Sequence, residues 1–237
     1  MCFLLGIVAN PPRKMEEELM SFRYFANRNR DGWGIGWYTS KGPVIFKNTK
    51  NAIKDVLFPR VVSLVHSNVV IAHLRAKTKG NVREVNTHPF SIREYLFAHN
   101  GTMDRKPLER ELRGEYRKLE GDTDSERLFH FLIQYMEQYG SVHGMRRALR
   151  KIDRMNREGA YVGYMNVLMS DGEYFFAFSK FYASRNRGLH YLVDEGLFPR
   201  VIFATKPIFE GKWERLENGE LVIVDSKTMD VKVTVIG

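Results

Sequence analysis

An uninterrupted apolar run near the start of the chain constrains the fold most. Residues Phe3–Val8 carry no polar side chain, and the run is followed by Asn10-Pro11-Pro12. A strand that is apolar along both faces is typical of a central strand buried on both sides, and the Asn-Pro-Pro sequence marks its end. The run is too short to span a membrane and has no basic segment before it, as a signal peptide would. We therefore expect a buried central strand here.

Strand patterns at both ends of the 237 residues surround a helical middle. A helical stripe runs from Met15 to Ala26, a helical region interrupted at Pro59 covers Ala52–Val65, and two further helices are predicted at Lys106–Arg113 and Asp124–Tyr139. Strands are predicted at Trp33–Tyr38, Val44–Lys47, Val69–Leu74, Leu96–Ala98, Met165–Met169, Tyr174–Ser179, Leu221–Val224 and Val231–Ile236. The last four form two hairpins. Neighbouring hairpins with helices between them predict an α+β fold with mainly antiparallel sheets.

The net charge of +9 raises the question of nucleic-acid binding. The densest basic stretch, residues 145–157, has its apolar residues at helical spacing and its Arg and Lys residues on the other face. This pattern predicts an amphipathic helix with a solvated basic face. No aromatic residues are interleaved with the charges, as a platform for single strands requires. We therefore do not expect nucleic acid to be a partner.

Cys2 is the single cysteine of the chain, which excludes an intramolecular disulfide and fits a reducing compartment, so we expect a cytoplasmic protein. A lone cysteine usually fills part of a core, where it behaves as a small apolar residue. Position 2 offers an alternative, because removal of Met1 leaves Cys2 with a free α-amino group. The residues around it leave both interpretations open.

Two polar segments follow predicted strands and could carry chemistry. In AHLRAKTKG, residues 72–80, Arg75 is suited to bind a carboxylate with two parallel hydrogen bonds, or it is a surface arginine of a loop. In FAHNGTM, residues 97–103, Asn100-Gly101 is a strong turn signal. The same pair could instead direct an amide and a backbone N–H at a developing oxyanion.

The third polar segment is GDTDSERLF, residues 121–129. Thr123 and Glu126 have the spacing of a capping box, and Asp124 falls in the first helical turn, where the helix dipole favours a negative charge. That structural role is sufficient by itself. A functional role requires Asp124 to face a cavity, where it could bind the ammonium group of a substrate.

The sequence contains no recognised metal or cofactor motif. His73, His88 and His99 lack a ligand spacing such as HExxH, and a single cysteine cannot form a zinc-binding pair. Nucleophile-elbow, Walker and dinucleotide-binding motifs are also absent from the sequence. We therefore expect neither a metal nor another cofactor.

Taken in order, these motifs resemble those of the class II glutamine amidotransferases, which belong to the N-terminal nucleophile hydrolases. The similarity rests on Cys2 and on DGWGIG, AHLRAKT, NTHPF, FAHNG and GDTDSE, with looser similarity in FATKPI and WERLENGELVIVD. It is greatest to amidotransferases that lack a fused synthase domain. The resemblance implies one domain over residues 1–237, folded as a four-layer αββα sandwich of two mainly antiparallel sheets.

The resemblance also implies roles for individual residues. Cys2 corresponds to the nucleophile, and Asn100 and Gly101 to the oxyanion pair. Arg75 corresponds to the residue that binds the α-carboxylate of glutamine, and Asp124 to the residue that binds its α-ammonium.

Two further residues are matched by the resemblance. Thr78 corresponds to a pocket residue, and Arg28 to a residue that orients the cysteine. The sequence also departs from the family pattern, because Ala-Lys-Thr-Lys at residues 76–79 stands where synthase-linked members carry Trp-Ala-Thr-His. The pocket wall therefore differs, which leaves the preference for free glutamine open.

Three functions remain open from the sequence. The first is release of ammonia from L-glutamine, with a separate synthase subunit as its acceptor. The second is the same chemistry on another γ-glutamyl amide. The third is a catalytically silent protein that binds RNA through the basic helix.

Overall fold

The computed structural model describes residues 2–76, 82–182 and 188–236. The strands in these ranges are β1 (Phe3–Lys14), β2 (Trp33–Thr39), β3 (Gly42–Asn48), β4 (His66–Leu74), β5 (Phe90–Ile92), β6 (Tyr95–Met103), β7 (Val162–Ser170), β8 (Tyr174–Phe181), β9 (His190–Asp194), β10 (Arg200–Ala204), β11 (Glu214–Arg215), β12 (Glu220–Asp225) and β13 (Val231–Val235). The α-helices are α1 (Glu16–Arg23), α2 (Leu57–Leu64), α3 (Arg105–Glu111), α4 (Asp124–Tyr139) and α5 (Ser141–Arg157). None of these helices combines the length and apolar character needed to cross a bilayer.

The apolar N-terminal run forms the central strand of the first sheet, as predicted. The strand order of this sheet is β11-β9-β10-β1-β4-β2-β3 among the described residues. Strand β1 pairs with β10 on one side and β4 on the other, so that Leu5 lies between Ala204 and Ala72. The predicted end at residues 10–12 is wrong, because β1 continues to Lys14. The Asn-Pro-Pro segment instead coincides with an irregular register between Val8 and Arg13.

The second sheet has the described strand order β13-β12-β8-β7-β6-β5, again with antiparallel neighbours. The two predicted hairpins are present, as β7–β8 and β12–β13. The turn signal at Asn100-Gly101 is misleading, however, because β6 runs through both residues. Asn100 pairs with Asn166 and Gly101 with Met165 of β7, so pairing with the neighbouring strand overrides the local turn preference.

Side-chain alternation along β1 separates two of the buried layers. Leu4 and Val8 join the core between the two sheets, whereas Leu5 and Ile7 join the core beneath α1 and α2. A third core fills the space between the second sheet and the helices α3, α4 and α5. The layers therefore follow the order helices, sheet, sheet, helices, which confirms the αββα sandwich.

Gly6 marks the close approach of the two sheets. A Cβ atom at this position would lie within 3 Å of the Phe175 ring on β8. Real Cβ atoms essentially never approach a neighbour so closely. A glycine is therefore required on the central strand, only four residues after Cys2, which fixes the start of β1 against the second sheet.

The basic helix has the amphipathic structure that its spacing predicts. Its predicted apolar residues are all buried in α5: Met145, Ala148, Leu149, Ile152 and Met155. Arg147, Arg150 and Arg154 are exposed. Lys151 differs from the prediction, because it is half-buried and pairs with Glu111 of α3 at 3.0 Å.

Candidate active site

A cleft of about 1100 Å³ contains most of the predicted site residues. It is lined by the residue before β1, the residues after β4, the end of β6 and the start of α4. Five of the seven predicted residues contribute to its wall: Cys2, Arg75, Asn100, Gly101 and Asp124. The fold therefore brings together residues that are more than a hundred positions apart in the sequence.

Cys2 is held at the cleft by the chain that leaves β4. Its sulfur lies 3.2 Å from the Ala76 backbone nitrogen, which donates to it, and 3.2 Å from the Ala76 carbonyl oxygen. Burial raises the pKa of the thiol, while the Ala76 N–H and the positive charge of Arg75 act in the opposite direction. The thiol form therefore dominates at neutral pH, so that nucleophilic attack needs a base.

The Asn100 side chain bridges the Cys2 backbone and a buried histidine. Its amide nitrogen donates to the Cys2 carbonyl oxygen at 2.7 Å, and its amide oxygen lies 3.1 Å from His73 Nε2. The amide nitrogen has a second hydrogen, for which the nearest described hydrogen-bond partner is Thr205 Oγ1 at 3.5 Å. An amide with one weakly used hydrogen beside a cysteine is suited to stabilise a negative oxygen.

Gly101 is required by close packing. A Cβ atom at this position would come within 3 Å of His99 Nε2 and of the Tyr164 carbonyl oxygen. His99 is itself buried, and its Nδ1 lies 2.9 Å from the Ser125 hydroxyl oxygen at the start of α4. Glycine at position 101 thus leaves room for the His99 imidazole of the same strand and for the Tyr164 carbonyl of β7. It also leaves the backbone of β6 accessible from the cleft.

Asp124 is the first residue of α4 and faces the cleft. Its two carboxylate oxygens accept hydrogen bonds from the backbone N–H groups of Met103 and Ser125, at 2.9 and 3.0 Å. Each oxygen retains a lone pair, so the carboxylate can also bind a cation.

The predicted capping box is only half formed. The Thr123 hydroxyl accepts from Glu126 N–H at 3.2 Å, as expected.

The other half of the box is replaced by a loop contact. The Glu126 carboxylate accepts from the backbone N–H groups of Glu120 and Gly121 at 2.6 and 2.9 Å, and it pairs with Arg127 at 2.8 Å. These contacts fix the loop that leads into α4 and, with it, the position of Asp124.

Arg75 follows β4 directly and is almost fully buried. Its backbone N–H donates to the Gly32 carbonyl at 2.8 Å, and its carbonyl accepts from Asp31 N–H at 3.0 Å. Burial lowers the pKa of the guanidinium, while the nearby Cys2, Asp31 and Asp122 act to raise it. The side chain therefore presents a desolvated positive charge to the cleft.

The remaining two predicted residues are not among the described residues of the cleft wall. Thr78 lies outside the described residues. Arg28 is exposed at the end of a short 3₁₀ turn and is absent from the described wall of the cleft. Its predicted role in orienting Cys2 has no described contact to support it.

Comparison with known proteins identifies the family. Residues 1–203 match the family described as "Glutamine amidotransferases class-II". The chain belongs to the class II glutamine amidotransferases. Its two sheets and flanking helices have the αββα arrangement that the resemblance to the N-terminal nucleophile hydrolases implies.

Two curated relatives illustrate the range of this family. The chain is 34% identical to "Putative glutamine amidotransferase YafJ" of Escherichia coli, over 84% of this chain and 78% of that protein. It is also 31% identical over 105 residues to "Gamma-glutamyl-hercynylcysteine sulfoxide hydrolase" of Mycobacterium tuberculosis, which covers 44% of this chain and 42% of that protein.

A solved structure with the same fold is the glutamine aminotransferase class-II domain protein of Silicibacter pomeroyi. The two chains superimpose with a TM-score of 0.76 over the full length of both, at 18% sequence identity. At this identity the likeness concerns the fold alone.

The cleft of this class II amidotransferase also contains three buried histidines to which the sequence analysis gave no role. The ring centroids of His73 and His88 are 4.6 Å apart. Burial lowers the pKa of His73 to about 3, that of His99 to about 4, and that of His88 well below its ordinary value. All three are therefore neutral at physiological pH. No cluster of described residues could hold a metal ion.

Thr205 is a further residue without a predicted role. Its hydroxyl accepts from Leu4 N–H at 2.9 Å, and its own N–H donates to the Leu4 carbonyl at 3.1 Å. These bonds fasten the end of β10 to the start of β1, two residues from Cys2. Thr205 lies in the FATKPI segment and His73 in the AHLRAKT segment. Neither motif predicts what these side chains contact, and the contacts become visible only in the folded structure.

Proposed function

We propose that this amidotransferase hydrolyses the side-chain amide of L-glutamine, with Cys2 as the nucleophile and no cofactor. The observation that carries the proposal is the position of Cys2, hydrogen-bonded through its carbonyl to Asn100 in a cleft that also contains Arg75 and Asp124. A nucleophile, an oxyanion donor and charges of both signs then face one substrate.

Activation of Cys2 would follow removal of Met1. The raised pKa of the buried thiol means that a base must accept its proton. An α-amino group has a pKa of about 7.7–8.0, against about 10.4 for lysine, so roughly a tenth of it is already neutral at pH 7 and can act as a base, whereas lysine is almost fully protonated. The α-amino group of Cys2 would take the thiol proton, directly or through one water molecule.

The thiolate then attacks the side-chain amide carbon of glutamine. Asn100 Nδ2 and the Gly101 N–H would stabilise the negative oxygen of the tetrahedral intermediate. The C–N bond breaks, the leaving nitrogen takes the proton held by the α-amino group, and ammonia departs. Water then hydrolyses the γ-glutamyl thioester, giving glutamate and the free thiol.

Charge complementarity would orient the amino-acid end of the substrate. Arg75 would bind the α-carboxylate and Asp124 the α-ammonium, each through charge-assisted hydrogen bonds. Thr78 would complete the pocket wall. Amides that lack these two charges would bind more weakly, because they would form neither of the two charge-assisted contacts.

A second candidate substrate is a larger γ-glutamyl compound. The cleft volume of about 1100 Å³ slightly exceeds the range of about 300–1,000 Å³ for sites that take drug-sized molecules. One relative is named as a hydrolase of a γ-glutamyl sulfoxide. The same nucleophile and oxyanion donors would serve both substrates, and only the leaving group would differ. With glutamine as the substrate, a separate synthase subunit would accept the ammonia.

An intact-mass experiment with an electrophilic glutamine mimic tests the proposal. We expect a chain that lacks Met1 to gain one adduct, mapped to Cys2, and excess L-glutamine to block the reaction. Cys2→Ala is the control and should gain nothing and release no glutamate. Protection by a γ-glutamyl peptide but not by glutamine would favour the second candidate substrate. A processed chain that gains no adduct and releases no glutamate would contradict both.

A further inference from the structure

We propose that His73 is a positioning residue that holds the Asn100 amide in the orientation required to stabilise the oxyanion. The inference rests on the proposed function, because it gives His73 a purpose only where Asn100 acts as a donor. His73 makes no described hydrogen bond to the Cys2 sulfur. It would act through Asn100 alone.

The hydrogen-bond chemistry on the two sides of Asn100 permits one orientation. The amide oxygen can only accept, so His73 Nε2 must carry the hydrogen across the 3.1 Å contact. The amide nitrogen can only donate, which suits the Cys2 carbonyl oxygen at 2.7 Å. A flipped amide would set two oxygens against each other at Cys2, and two N–H groups against each other at His73 while the imidazole keeps its hydrogen on Nε2. It would also present an oxygen where the oxyanion develops.

His73 is built into the interior of the first sheet. It lies on β4 within the first sheet, opposite Leu4 of β1 and Gly34 of β2. The side chain is 1% exposed, and the His88 ring packs against it. The imidazole therefore has little freedom to turn away from Asn100.

The protonation state of His73 suits a fixed donor. Burial lowers its pKa to about 3; the Asn100 hydrogen bond opposes this shift, while Arg75 and His99 add to it. A neutral imidazole has one N–H. The contact with Asn100 places that hydrogen on Nε2, which leaves Nδ1 as a buried acceptor without a described partner. This donor does not change with pH in the working range of an enzyme.

The experiment compares His73→Gln with His73→Asn. The terminal nitrogen of Gln can approach the position of Nε2, whereas that of Asn approximates Nδ1 and does not reach Asn100. We expect His73→Asn to lower kcat for glutamate release by up to about 10²–10³-fold, the value for removing an oxyanion donor. KM for glutamine should change little, and His73→Gln should recover most of kcat.

A double-mutant cycle isolates the action through Asn100. Asn100→Ala alone should cost at least as much as His73→Asn, and the double variant should be no worse than Asn100→Ala. If the losses in kcat of the two single variants were fully additive in the double variant, the inference would be overturned. Equal kcat values for His73→Asn and His73→Gln would overturn it as well.

The pH profile separates positioning from acid–base catalysis. If His73 is a positioning residue, the pH dependence of kcat in His73→Gln should keep the same acidic and basic limbs as that of the parent enzyme. Loss of a limb would assign His73 to proton transfer instead. Glutamate release and labelling of Cys2 in the parent enzyme test the proposed function separately, so its failure is distinguishable from failure of this inference.

Discussion

The side-chain amide of Asn100 donates a hydrogen bond to the backbone carbonyl of Cys2 over 2.7 Å, although the two residues are 98 positions apart. Asn100 belongs to the second sheet, and Cys2 immediately precedes the central strand of the first. The hydrogen bond therefore crosses from one sheet to the other at the cleft. Its geometry depends on how the two sheets pack.

Replacement of Asn100 should affect both catalysis and stability. We expect Asn100→Ala to lower kcat by about 10²–10³-fold, because one oxyanion donor is lost. The free energy of unfolding should fall by about 1–3 kcal/mol, because the His73 N–H is left buried without its acceptor. Glutamate release and urea denaturation measure the two effects. Asn218→Ala, at an exposed loop contact with Phe181, is the control and should retain kcat.

Replacement of Asp124 should act mainly on substrate binding. Loss of a charge-assisted hydrogen bond of about 1.5–3 kcal/mol corresponds to a rise in KM of about 10–100-fold for Asp124→Asn. The amide oxygen can still accept one backbone hydrogen bond at the start of α4, which limits the structural loss. Steady-state kinetics with glutamine give the split between KM and kcat. Glu158→Gln, elsewhere on the cleft wall, should leave KM unchanged. An unchanged KM in Asp124→Asn would remove Asp124 from the substrate pocket.

A side chain at position 101 should be poorly tolerated. Gly101→Ala places a methyl group within 3 Å of His99 Nε2 and the Tyr164 carbonyl, so β6 or its neighbours must move. Overpacking of this kind costs about 1–3 kcal/mol, and the shift would also displace the adjacent Asn100. Thermal denaturation and glutamate release should both show a loss. Gly196→Ala is a control at a site where the nearest described atom is a carboxylate oxygen of Asp194 at 3.2 Å.

Alkylation of Cys2 should be slow at neutral pH in a chain that retains Met1. Burial raises the thiol pKa, so the thiolate fraction remains small and increases as pH rises past the usual value of about 8.5. The rate of reaction with iodoacetamide, followed by mass spectrometry, measures this fraction at a single cysteine. Arg75→Met should shift the profile to still higher pH, since the arginine charge favours the thiolate. A shift to lower pH would contradict this electrostatic role of Arg75.

The buried histidines should make the protein sensitive to acid. His73, His88 and His99 have lowered pKa values in the folded state, whereas in the unfolded chain each titrates near 6.5. Below pH 6.5 the unfolded state therefore binds more protons, and stability falls as pH falls. The slope reaches about 1.4 kcal/mol per pH unit for each histidine.

Urea denaturation between pH 7.5 and 5 measures this slope. His99→Gln should reduce it by the contribution of one histidine, and His143→Gln, at an exposed residue of α5, is the matched control for the substitution itself. Equal slopes in the parent protein and in His99→Gln would show that burial does not hold His99 neutral.

The sequence predicted best those elements whose signals are local. The bounds of α4 agree with the prediction, because a capping threonine and a continuous apolar stripe define that helix. Strands β9 and β10 were not predicted. Each has only five residues, and β10 is fixed by pairing with β1 almost 200 positions away. Patterns within a short window contain no information about such a partner.

The site was predicted through family resemblance more than through chemistry read from individual residues. Asn100-Gly101 has the local signature of a turn, and only its pairing with β7 keeps it within a strand. His73 and Thr205 carried no recognisable signal, because their contacts with Asn100 and Leu4 arise from the packing of separate strands. Arg28 was matched by its spacing in the sequence, and the described structure leaves it exposed.

The pairing of β1 with β10 has a consequence for biosynthesis. The described residues that line the cleft all precede residue 165, so a ribosome has made every one of them well before β10 is translated. Until Ala204 and Thr205 emerge, however, Leu4 and Leu5 have their partners on β4 but lack those at the end of β10. A nascent chain of 190 residues would therefore carry the thiol without a finished site. On the proposed function, activity would begin only after β10 has been made and has paired with β1.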